Sequence, residues 1–141
     1  GGPPRGLKRS RADNAGLADI EHAIAEFAAQ PGGALIYLPK PVNDTNRTAI
    51  IAQAALHRLP AIYPYRSHAD VGGLMAYGAD QIDQYRRAAS YADRILKGAK
   101  PADLPVQAPT KFELVINTKA ALGLGLECPP TVLARAEDAT Q

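Results

Sequence analysis

A parallel α/β sheet flanked by helices is the fold that the sequence predicts, on three observations. Ala34 to Leu38 form a short continuous apolar run between Gly32-Gly33 and Pro39, which reads as a strand buried on both faces. Strand, helix and strand then follow within about 30 residues, the length of one βαβ unit. Two further stretches, beginning at Leu17 and at Ile82, carry apolar residues at the three- and four-residue spacing of a half-buried helix.

Taken in order, the opening GGPPRGLKRSRADN has no apolar period, so residues 1–16 are expected to be disordered and residues 17–138 to form one domain. Leu17, Ile20, Ile24, Phe27 and Ala28 mark the buried stripe of a first helix, stopped by Pro31 and the glycine pair. Asn43, Asp44 and Thr45 offer cap oxygens ahead of a second helix facing the sheet with Ile50, Ile51, Ala54 and Ala55. Ala61 to Tyr63 give a second strand and Gly73 to Tyr77 a third. Asp80 caps the longest helix, whose stripe runs Ile82, Tyr85, Ala89, Ala92 and Leu96 before Gly98. A proline-rich connector follows from Pro101 to Pro109. Lys111 to Ile116 then alternate as a half-buried edge strand, and a short helix after Asn117 and the Pro129-Pro130 break complete the pattern.

Composition narrows the function. The 141 residues are 46% hydrophobic and carry a formal net charge of +2, which suits one core and offers no single-sign field for nucleic acid. Cys128 is the only cysteine, which rules out an internal disulfide and a cysteine-rich metal site. No apolar run approaches the roughly 20 residues of a membrane span, and the first residues lack the apolar centre of a signal peptide. His22, His57 and His68 share no metal-ligand spacing and read as ordinary surface residues. No glycine-rich phosphate cradle and no nucleophile with a positioned base is present.

Ligands of open parallel sheets gather beyond the carboxyl ends of the strands. The loops Pro39 to Asp44, Pro64 to His68 and Gly78 to Asp80 have that address. They bring Asn43, Asp44, Asn46, Tyr65, Arg66, Ser67, His68, Tyr77 and Asp80 towards one rim suited to a small zwitterion or acid. Structural roles compete for several of them: Asp44 and Asp80 as helix caps, Asn43 as a turn former, Tyr77 as the last core residue of its strand.

The wording of the chain adds a resemblance. LPAIYPYRSHADVGGLMAYGAD (59–80) and RRAASYADRILKGAKPADLPVQAPTKFELVIN (86–117) resemble the ABC transporter substrate-binding family, some of whose members are associated with aromatic amino acids such as tryptophan. The likeness reaches back to Leu17 and forward through PPTVLARAED. It implies the second of two Rossmann-like lobes in a type I periplasmic-binding-protein fold, periplasmic or lipid-anchored, closing on its solute about a hinge. It further implies a small-molecule solute and an ABC permease as partners, no cofactor, no metal and no enzymatic step, with Tyr65, Arg66, Tyr77 and Asp80 matching rim positions. A free-standing truncated lobe with a regulatory or interaction role is the alternative. Residues 1–16 are read as having no counterpart in the family, and Leu122 and Gly123 depart from its last helix. A lobe without its companion is expected to bind solute only at millimolar concentration and to pair its open surface with a second copy as a homodimer.

Overall fold

The computed structural model describes residues 10–12, 15–136 and the backbone of 138–140. Most of the opening segment expected to be disordered therefore lies outside the described residues. The first helix, α1 (Leu17–Ala28), buries Ile20 and Ile24 and packs Phe27 and Ala28 beside them, as its stripe requires, while Leu17 stays exposed. Strand β1 is only Leu35–Ile36, but the Tyr37 amide continues the ladder by donating to Ile62 O at 3.0 Å.

Helix α2 (Pro41–Thr45) starts on a proline, whose fixed φ and missing N–H suit the first helical turn. A single residue, Asn46, separates it from α3 (Arg47–Leu56). Asn43, Asp44 and Thr45 thus lie inside a helix of their own, and the cap role read for them ahead of the second helix does not hold. Strand β2 is Ala61–Tyr63, and the excursion after it contains a short helix, α4 (Arg66–Asp70). The third strand, β3, is Met75–Ala79, two residues later than expected. Gly73 is held back because its amide donates to His68 O at 2.8 Å beneath the Tyr63 ring.

Helix α5 (Gln81–Leu96) is capped by Asp80, which accepts from the Asp83 amide, and ends at Gly98 with φ at 104°. The expected periodicity is there, but none of its residues is buried. A single 3-10 turn at Pro101–Asp103 follows, then β4 (Phe112–Asn117), α6 (Thr118–Gly123), α7 (Pro130–Leu133) and β5 (Asp138–Thr140). No helix among the described residues is long and apolar enough to cross a membrane.

The sheet runs in the order β1-β2-β3-β4-β5. Strands β1, β2 and β3 are parallel, β4 is antiparallel to β3, and β5 is parallel to β4. The strand β4, expected at an edge, is therefore interior. Its neighbour β5 was not visible as a strand because only three residues form it. Side chains alternate across the sheet. On one face Ala61 and Tyr63 join Tyr37 and the inner sides of α1 and α3 in the main core. Ala76, Val115 and Ala69 of α4 continue that layer.

Candidate rim site

Parallel pairing of β1, β2 and β3 puts their carboxyl ends on one edge of the sheet, so the three loops expected to form a rim leave from that edge. Two of them fold over the core face. Tyr37, one residue beyond β1, donates its phenol to Asp44 Oδ1 at 2.8 Å, and Asn43 Nδ2 donates to Leu38 O at 2.8 Å. These bonds draw the first turn of α2 back against the strand it follows. Asn43 is thereby buried, and no described residue bonds its Oδ1.

His68 is the centre of the cluster. It is 1% exposed, against the surface position expected for it. Its ring stacks on Tyr63 at 5.4 Å, meets Tyr37 edge-on at 4.9 Å and lies 5.8 Å from Tyr65. Nδ1 is 3.2 Å from Tyr65 O, an acceptor, which assigns the proton to Nδ1 and leaves Nε2 as a buried acceptor that no described residue bonds. Burial holds the His68 pKa below the usual histidine range, and the Arg47 guanidinium adds to the effect against the opposing Tyr65 carbonyl and Asp44. Burial likewise pushes the Tyr63 phenol up to about 12. The Tyr37 phenol is raised further by burial and by the proton it gives Asp44.

The neutral state of His68 fixes a pH dependence. In the unfolded chain a histidine takes its proton near pH 6.5, whereas the folded His68 takes it only at lower pH. Acidification through that interval favours the unfolded state, so this contribution is full above about pH 6.5 and lost as pH falls towards the folded value. His68→Phe keeps a stacking ring and removes the titration. Thermal melts at pH 7, 6 and 5 should show a smaller decline for the variant than for the wild type; parallel declines would exclude His68 as the source.

The other expected residues divide. Tyr65 stands at the residue before α4, without a capping bond from its side chain, and its ring lies beside His68, so it joins Asn43 and Asp44 in the cluster. Arg66 lies along the rim, 3.7 Å from Glu113 of β4. Asp80 accepts from the Asp83 amide at 3.1 Å and sits 3.0 Å from Lys111 Nζ; both partners hold its carboxyl below the usual range, the amide first. Its cap role is thus filled. Tyr77 is 55% exposed and stacks on Phe112 at 6.1 Å. Register places it on the sheet face opposite Tyr63, so it is neither a core residue nor part of the aromatic cluster.

Sequence reading missed Tyr37, Tyr63 and Arg47. A signal was there, because Ile-Tyr recurs at the end of both apolar runs, in LIYLP and in AIYPY. An apolar hollow of about 180 Å³ at the other end of the strands is lined by Ile51, Ala54, Leu59, Leu74 and Leu124 among others. Apart from Tyr63, the residues lining it carry no polar side chain to orient a ligand. Among the described residues no three His, Cys, Asp or Glu side chains are grouped to hold a metal.

This arrangement can be set beside known proteins. The family model described as ABC transporter substrate binding protein matches residues 4–140. That match begins inside the segment read as having no counterpart in the family. No curated protein matches. Among solved structures, a conserved domain protein from Vibrio cholerae is 29% identical, with a TM-score of 0.76 over 88% of this chain and 41% of its own. The ABC domain of Streptococcus pneumonia in complex with L-Trp is 24% identical, with a TM-score of 0.74 over 86% of this chain and 42% of its own. A ligand-free, open substrate-binding protein with adhesive properties from Clostridium difficile shares the fold at 17% identity and a TM-score of 0.62. The chain spans about two fifths of the length of these proteins. With a family model matched over nearly its whole length and the same open α/β sheet, the chain belongs to the ABC transporter substrate-binding protein family.

Proposed function

We propose that this chain is the second lobe of a solute-binding component of an ABC importer, forming one wall of a cleft that closes about a hinge on a small zwitterion of the aromatic amino acid class. The carrying observation is the rim cluster: Asp44 and Arg47 flank Tyr37 and His68, with Tyr65 beside them, at the carboxyl edge of parallel strands. A carboxylate and a guanidinium offer opposite charges to an ammonium and a carboxylate, and Tyr65, the tyrosine of the cluster that is not buried, offers an aromatic side chain a stacking surface. The L-Trp complex of the Streptococcus pneumonia protein supports the ligand class by likeness. Family members of this kind bind solute without covalent chemistry, and the same reading carries an ABC permease as partner, a periplasmic or lipid-anchored location and self-association of the lobe.

One lobe buries a ligand on one side only, so the isolated chain should bind L-tryptophan at millimolar concentration or weaker. In an NMR titration of the 15N-labelled chain, shifts should centre on residues 37–47 and 65–68. Tyr65→Ala and Arg47→Ala should each weaken the titration about tenfold, roughly 1.4 kcal/mol. Shifts confined to other surfaces, or unchanged titration in both variants, would reject the site. Titrable binding of a macromolecule in place of solute would favour the free-standing regulatory lobe.

A further inference from the structure

Helix α4 sets the positions of Tyr65, Arg66 and His68, yet it is only five residues long. That is far below the length at which a helix holds itself together in water, and no side chain caps its start. Its apolar anchor is small as well: Ala69, 0% exposed, offers a single methyl to Ala76 and Val115 of the sheet. The position of α4 therefore depends on polar bonds.

Several of these bonds tie the segment only to itself. His68 Nδ1 reaches back to Tyr65 O, and the Gly72 and Gly73 amides donate to Ala69 O and His68 O at the exit of the helix. Arg66 pairs with Glu113 of β4 at 3.7 Å, through two long side chains. The bond from the sheet to the helix backbone itself comes from a residue 48 positions beyond Ala69: Asn117 Nδ2 donates to Ala69 O at 2.9 Å.

Asn117 is held from several sides. Its backbone amide donates to Leu74 O at 2.9 Å, and it pairs with Thr140 of β5. Alternation along β4 puts its side chain on the face of Val115, where α4 lies. The same side chain has a second task, because its Oδ1 accepts from the Ala120 amide at 2.9 Å and so caps α6. One planar amide thus gives its oxygen to α6 and its nitrogen to α4. The two atoms are fixed relative to each other, so neither helix shifts against the other without losing a bond.

We propose that Asn117 is the positioning residue of the rim, holding α4 against β4 and thereby setting where Tyr65 and Arg66 meet solute. Its hold on α4 follows from the bonds above; only the step from α4 to solute rests on the reading of the rim as a cleft wall.

Asn117→Asp separates the two tasks. Aspartate caps a helix as well as asparagine does, so α6 keeps its bond, whereas the donor to Ala69 O is replaced by a carboxylate oxygen that repels it. Native-state hydrogen exchange of the 15N-labelled chain reads both helices at once. Protection of the Gly72 and Gly73 amides, which bond α4 carbonyls, should fall about tenfold, the scale of one lost hydrogen bond. Ala120 and Leu124 should keep theirs. Asn117→Ser, whose shorter side chain also caps, should behave alike and serves if the added charge unfolds the first variant. Equal loss in both helices would make Asn117 a general support of the fold and overturn the proposal, as would unchanged protection at Gly72 and Gly73. In an L-tryptophan titration, binding read at residues 65–68 should weaken about threefold in either variant; unchanged binding overturns the link from α4 to solute. A wild type whose shifts avoid residues 65–68 rejects the cleft reading instead, and exchange then decides the hold of Asn117 on α4 by itself.

Discussion

Gly78→Ala is expected to destabilise the chain by about 3 kcal/mol or to prevent folding, the upper end of what overpacking costs. A β-carbon at Gly78 would stand 2.0 Å from Pro64 O and 3.1 Å from Pro64 C. Those are backbone atoms, so no rotamer change relieves the overlap. Either β3 shifts within a sheet whose register is fixed on both sides, or the turn after β2 moves off the sheet. The turn is the weaker element, and it carries Tyr65, whose carbonyl accepts from His68. A variant that still folds should therefore also lose the ordered rim. Gly123→Ala is the control. Nothing lies within 4 Å of its β-carbon and its φ is not positive, so alanine should be neutral or stabilising by about 0.5 kcal/mol. Urea denaturation of both variants decides the matter; similar midpoints would mean that the Pro64 turn yields freely.

Much of the fold was legible because the signals were local. The stripe of α1 and the Asp80 cap each depend on residues within one element, and each appears where the pattern put it; the apolar run before Pro39 does give a strand, but not one buried on both faces, since Ile36 is 72% exposed. What failed depended on distant partners. The stripe of α5 was readable, but whether a surface exists to bury it is not a property of the helix. The antiparallel return of β4 and its interior position are set by an arm of some thirty residues and by β5. The placement of Asn43, Asp44 and Tyr65 beyond the strand ends was readable from the rule that loops at that edge gather there, which needs only strand order. His68 was misjudged because its spacing from other histidines says nothing of burial; that comes from Tyr37 and Tyr63, some thirty and five residues away in the chain. Tyr77 was misplaced by the two-residue shift of β3. That shift leaves it mid-strand, on the rim half of the face opposite Tyr63, where it is 55% exposed.

The second large effect tests how unevenly that sheet face is covered. Ile116 and Phe112 point to the same side of β4, four residues apart, yet Ile116 is 0% exposed and Phe112 49%. Ile116 pairs with Met75 across the strand, and it is among the largest fully buried side chains described. Ile116→Ala removes its outer carbons from a packed interior and leaves a hole that backbone paired on both sides cannot collapse around. The expected cost is about 2–5 kcal/mol. Phe112 already spends half its surface in water and faces only Tyr77 at stacking distance. Phe112→Ala should therefore cost about 1 kcal/mol or less. Urea midpoints of the two variants separate the two behaviours. A large Phe112→Ala penalty would show that the rim half of this face is tightly packed within the chain, and a small Ile116→Ala penalty would show that the other half is not.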